Sequence, residues 1–163
     1  MPENEVDWIV RETDHYLEIC SSGNPRMVLS LMRVVKQTGD FHRVLIGTDT
    51  PGGTGVIPRG MLREIAFLSS VVEIAPEVAI CMATGNVGRA HGLSLGTLEV
   101  GRPADVVLLD KIHGSVAKDG LDSLDNGDLP GVSVVLIDGE IKVAGRSQQT
   151  PPPERMAIVR GGR

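Results

Sequence analysis

Aromatic side chains are scarce: one tryptophan, one tyrosine and two phenylalanines, 2% of 163 residues. Trp8, Tyr16, Phe41 and Phe67 are too few and too scattered for a base-stacking platform or an aromatic carbohydrate surface. Cysteine is equally sparse. Cys20 and Cys81 fit neither a disulfide framework nor the C-x-x-C spacing of a zinc site, and both are expected as reduced core residues. No apolar run approaches the about 18 residues of a membrane helix, so no membrane partner is expected. The opening MPENEVDWIV is acidic where an export signal is basic, which points to a cytoplasmic setting. Positive charge is in deficit: 16 Lys and Arg stand against 21 Asp and Glu, a formal net charge of -5. Nucleic-acid affinity rests on clustered Lys and Arg, so no nucleic-acid partner is expected.

What is present is an ordinary globular composition, 41% hydrophobic and 23% charged, in a chain long enough to bury a core. Val6, Ile9 and Val10 give residues 3 to 13 helical character, and Tyr16 to Cys20 suits a strand. Asn24 before Pro25, then Met27, Leu31, Val34 and Val35, then Gly39, spell a capped helix over 25–38. Val44-Leu45-Ile46 is apolar on consecutive positions, as in a strand buried on both faces. It runs into Gly47-Thr48-Asp49-Thr50-Pro51-Gly52-Gly53-Thr54-Gly55, and helices are expected over 58–72 and from Pro76. That order implies parallel strands with helices packed outside. After Gly92 the chain turns to β. Val134 to Ile137 meets Glu140 to Val143 across Asp138-Gly139, a type I′ hairpin signal, with a helical insertion around 116–126. The Pro-rich stretch after Thr150 favours an extended arm.

Asp49 stands just beyond the C-terminal end of a parallel strand, where α/β enzymes place their chemistry. Position alone leaves a second reading open, in which Asp49 only hydrogen-bonds its glycine-rich turn. The frame G-x-x-x-x-G-x-T over Gly47 to Thr54 also resembles a phosphate loop, but Gly53 stands where the lysine belongs and Asp49 would repel phosphates. His15, His42, His91 and His113 show neither H-x-H nor i, i+4 spacing, and surface or capping roles are expected for them. Asp119, Asp122, Asp125 and Asp128 lack the glycine and terminal glutamate of a calcium loop and suit a solvated helix face. Ser69 and Ser70 lack a nucleophile elbow.

The stretch Gly96-Thr97-Leu98-Glu99-Val100-Gly101-Arg102-Pro103-Ala104-Asp105-Val106-Val107-Leu108-Leu109-Asp110, with Asp138-Gly139-Glu140 further on, resembles the C-terminal signature of the amidohydrolase superfamily. Ala83-Thr84-Gly85-Asn86 and Gly47-Thr48-Asp49 resemble two further family segments, in the family's order. The resemblance implies an α/β fold made of the last strands and helices of a TIM-like (β/α)8 barrel plus the C-terminal strands of a composite β-sandwich. Tyr16 to Cys20 corresponds to barrel strand seven and Val44 to Asp49 to strand eight. Residues 1–92 are then the barrel part, 93–147 the sandwich strands with their insertion, and 148–163 the arm.

The resemblance further implies a hydrolase acting on a C–N bond of a cyclic amide, in the class of 6-oxo-1,4,5,6-tetrahydronicotinate. Asp49 becomes both general acid/base and metal ligand, and Gly52, Gly53, Thr54 and Arg59 line the substrate, with Arg59 and Arg63 as candidate anchors for a carboxylate. The family's cofactor is a divalent metal, zinc or iron. Its histidine and lysine ligands have no counterpart in this sequence, so the chain alone is expected to bind none and to be inactive. A barrel takes about 250 residues. A truncated fragment that self-associates through unpaired strand edges, as a homo-oligomer, is therefore the alternative to an enzyme.

Overall fold

The computed structural model describes residues 3–53 and 55–144. Helix α1 (Glu3–Glu12), strand β1 (Leu17–Cys20), helix α2 (Pro25–Thr38) and strand β2 (Val44–Gly47) open the chain. Helices α3 (Gly60–Ser70), α4 (Pro76–Ala83) and α5 (Gly85–Ala90) follow. Strand β3 (Val106–Asp110), helix α6 (Gly120–Asp125) and the strands β4 (Gly131–Ile137) and β5 (Glu140–Val143) complete it. The Pro-rich arm lies outside the described residues. No described helix is long and apolar enough to cross a membrane.

Local codes explain the first half. The Asn24 side chain accepts from the Arg26 N–H at 3.0 Å, Pro25 takes the first helical position, and Gly39 closes α2 in the left-handed region, donating to Val35 O at 2.8 Å. Val28, Met32 and Val35, spaced at one helical face, are buried. They meet Leu17 and Ile19 of β1 and Val44 and Ile46 of β2, so that α2 covers one face of a parallel pair. The register is Leu17 to Val44, Glu18 to Leu45, Ile19 to Ile46 and Cys20 to Gly47. Side chains alternate along a strand, so Glu18 and Cys20 point away from the face that buries Leu17 and Ile19.

Two buried polar side chains lock this unit. The Arg43 guanidinium, 6% exposed, donates to Val10 O at 2.6 Å and to Thr13 O. It thereby satisfies carbonyls left over at the end of α1. Asn86 donates from its one amide nitrogen to Phe41 O and Val44 O, both at 2.9 Å, and pins the start of β2 to α5.

The second half carries an antiparallel sheet in the order β3-β4-β5, with bulges between Leu108 and Leu109 and between Val135 and Leu136. Asp138 at φ 51° and Gly139 at φ 77° make the expected hairpin turn. The Ala104-Asp105 pair holds that turn from outside: the Asp105 carboxylate accepts from the Asp138 N–H at 2.8 Å and Ala104 O accepts from the Gly139 N–H at 3.0 Å. Gly96 has φ 87°, and a Cβ there would overlap the Thr84 carbonyl. The first glycine of the signature thus permits a backbone to cross the α4–α5 junction. The insertion helix α6 packs on α3 and α4, and its Leu124 joins the core of the first half.

Three expectations need correction. Cys81 is exposed on α4 and Cys20 is only half-buried, so neither is a core residue. Asp119 is not part of a solvated helix face but the cap of α6, accepting from the Leu121 and Asp122 N–H groups, and Asp128 accepts from Ser115 Oγ at 2.6 Å. The helix foreseen over 58–72 begins at Gly60, because Pro58 and Arg59 form a turn.

Removing the Asn86 amide takes a donor from the buried Val44 carbonyl and from Phe41 O, which keeps the Val44 N–H. Asn86→Ala is expected to lower unfolding stability by about 1–3 kcal/mol, measured as a lower urea midpoint with an unchanged slope.

Candidate active site

The parallel pairing brings the loop after β1 and the loop after β2 to the same end of the sheet. Asp49 follows β2 by two residues, is exposed, and adopts φ 51°. Positive φ in a non-glycine residue is strained and marks a position held by its surroundings. Gly53 N–H donates to Asp49 O at 3.0 Å, which curls the glycine loop back over its own start. Ser22, in the loop after β1, donates from its hydroxyl to Asp49 Oδ2 at 2.8 Å.

The glycines of this loop are small for a reason. A Cβ on Gly53 would overlap both Asp49 Oδ2 and Ser22 Cβ, and one on Gly52 would sit 3.1 Å from Asp49 Oδ1. Gly52 and Gly53 therefore lie directly over the carboxylate. Thr54 lies outside the described residues. The loop returns at Gly60, which is buried against Thr48, since a Cβ there would stand 3.1 Å from Thr48 Cγ2. Arg59 is the residue before it. It caps α3 with φ 55° and ψ 32°, is exposed, and has no ion-pair partner among the described residues. Arg63 donates from Nε to Pro58 O at 3.4 Å.

Sequence reasoning missed Ser22. It also left Cys20 without a role, although Cys20 Sγ lies 3.1 Å from Ser22 Oγ. The signal was available in the strand pattern: once Cys20 pairs with Gly47, residues two places beyond each strand end fall side by side. The four histidines are all exposed, and no three His, Cys, Asp or Glu side chains among the described residues converge as metal ligands would. Asp49 and Cys20 alone do not make a metal centre.

A family model described as "Amidohydrolase family" matches residues 20–142. The chain belongs to the amidohydrolase family. Enamidase from Eubacterium barkeri is 46% identical over 155 residues, covering 95% of this chain and 40% of that protein. The crystal structure of enamidase superposes with a TM-score of 0.86 at 45% identity, across 93% of this chain and 39% of that one. A β-aspartyl dipeptidase from Fervidobacterium islandicum AW-1 superposes with a TM-score of 0.56 at 15% identity, across 91% of this chain and 38% of that one, which is a likeness of fold. This amidohydrolase chain thus spans about 40% of the length of the curated relative it matches.

An arginine in the left-handed region costs about 1–2 kcal/mol relative to its ordinary conformation, whereas glycine adopts that region freely. Arg59→Gly is expected to stabilise the folded chain by about 0.5–1 kcal/mol, read as a raised thermal midpoint. A lowered midpoint would mean that the Arg59 side chain contributes to packing.

Proposed function

We propose that this chain carries the general acid/base, Asp49, of a metal-dependent amidohydrolase that opens a C–N bond in a cyclic amide bearing a carboxylate. The observation that carries the reading is the carboxylate itself: exposed beyond the end of a parallel strand, held by a neighbouring loop and roofed by two glycines. The 46% identity to enamidase over 95% of the chain supports the reaction class. The 6-oxo-1,4,5,6-tetrahydronicotinate class implied by the sequence resemblance is a ring of this kind.

Amide cleavage needs a base and then an acid at one place. As water attacks the carbonyl carbon, Asp49 takes its proton. The tetrahedral species that results cannot expel an unprotonated nitrogen, because the bare amide anion is a very poor leaving group. The same carboxyl group returns the proton to the ring nitrogen, and the C–N bond breaks. The cycle ends with a carboxylic acid and a ring-opened enamine, whose imine tautomer takes up a second water and releases ammonia, leaving an aldehyde.

Family enzymes work with a divalent metal, zinc or iron. The described residues do not supply a ligand set for one, so the reading requires ligands from further polypeptide, in the same chain or in another. A specific observation also favours a structural reading. Each strand of the β1–β2 pair has one edge unpaired among the described residues, and Val107, Ile137, Ile141 and Val143 leave apolar surface open on the second sheet. Such edges and faces are normally covered. A longer polypeptide fits that need, as does self-association into a homo-oligomer. In our domain reading the boundary near 92 separates a barrel part from sandwich strands.

Arg59, exposed and without an ion-pair partner among the described residues, is the anchor we assign to the substrate carboxylate. The test replaces the matching segment of Eubacterium barkeri enamidase by this chain and measures ammonia release from a six-membered cyclic enamide with and without a ring carboxylate. The carboxylated ring is expected to be preferred at least about 10-fold in kcat/KM, as a charge-assisted hydrogen bond of roughly 1.5–3 kcal/mol implies, and Arg59→Ala should abolish the preference through KM. A preference that survives Arg59→Ala would place the anchor elsewhere. A hybrid that retains its metal yet releases no ammonia would refute the catalytic reading.

A further inference from the structure

The thiol, the hydroxyl and the carboxylate at this strand end form a chain of hydrogen bonds with a direction. Asp49, as a carboxylate, only accepts. Ser22 has one hydroxyl proton, and it is committed to Asp49 Oδ2 at 2.8 Å. The contact of 3.1 Å between Cys20 Sγ and Ser22 Oγ must then run the other way, with the thiol donating into a lone pair of the hydroxyl. The order is Cys20 to Ser22 to Asp49.

Resting on the acid/base reading of Asp49, we propose that Ser22 is the positioning residue of this carboxylate, oriented by the Cys20 thiol. Oδ2 is engaged by Ser22 and lies under Gly53, where even a methyl group would collide with it. Oδ1 faces Gly52 and has no hydrogen-bond partner among the described residues, so Ser22 is the side chain that holds the carboxylate. Asp49 sits on an exposed loop at positive φ, where an untethered side chain would sample several rotamers. Ser22 selects one of them. The benefit is geometric: a base held toward the reacting water loses less on reaching the transition state than one that must first be oriented.

Two readouts separate this role from general support of the fold. In the isotope-labelled chain, the Asp49 Hα–Hβ couplings are expected to report a single staggered rotamer. They should become averaged in Ser22→Ala, while amide shifts outside the two loops stay in place. Cys20→Ala, which keeps the hydroxyl but removes its donor, should shift the couplings less and in the same direction. In the enamidase hybrid described above, Ser22→Ala should lower kcat about 10-fold with KM within about 2-fold, as loss of orientation rather than of binding predicts. Couplings that remain those of one rotamer in Ser22→Ala overturn the positioning role, whatever the hybrid's activity. Equal losses in KM and kcat overturn it as well. A parent hybrid without amide hydrolysis would refute the reaction assigned to Asp49, while the couplings still decide what Ser22 does.

Discussion

Four rungs of parallel pairing, Leu17 to Val44 through Cys20 to Gly47, decide where every candidate functional group stands. They align two strand ends, and therefore two loops, so that a serine from one reaches a carboxylate from the other. A slip of one residue would turn Leu17 and Ile19 off the core and move Ser22 away from Asp49. Three things resist that slip. Met32, Val35 and Leu68 close the buried face, the Asn86 amide holds the carbonyls of Phe41 and Val44, and Arg43 ties the chain entering β2 to the end of α1. The site is precise because register is fixed from below by packing.

Glycine provides the second constraint. Gly53 lets the loop after β2 fold onto Asp49, and Gly96 lets the chain leaving α5 cross the Thr84 carbonyl. Both are close approaches of backbone that a side chain would prevent; Gly96 opens a segment by which the sequence resembles its family, and Gly53 follows another, Gly47-Thr48-Asp49. The Ala104-Asp105 pair is of the same kind. Its hydrogen bonds to Asp138 and Gly139 tie the entry of β3 to the β4–β5 hairpin, which gives those two signature residues a structural purpose.

Much of the fold was legible because its codes are local. Asn24, Pro25 and Gly39 bound α2, and Asp138-Gly139 announces the hairpin, each through a conformational preference that acts within a few residues. The place of Asp49 was legible for the same reason, since an apolar run followed by Gly-Thr-Asp marks a strand end. What stayed hidden depended on contacts across the chain. Ser22 and Asp49 are 27 residues apart, and only the strand register joins them. Cys81 misled because cysteine is usually buried, whereas its place on α4 turns it to solvent. The start foreseen for α3 at 58 failed at Arg59, whose left-handed backbone no propensity favours.

The central claim is that Asp49 moves the proton in amide cleavage, and the most direct measurement is the turnover of Asp49→Asn in the enamidase hybrid, with metal content and thermal midpoint determined alongside. Asparagine keeps the size and can still accept the Ser22 hydroxyl proton, but it cannot shuttle a proton. The account predicts that kcat falls by about 10²–10⁴, the contribution of a general acid/base, while the metal and the midpoint stay near those of the parent. Activity within a few-fold of the parent would contradict it and leave Asp49 as no more than the residue that shapes its own loop.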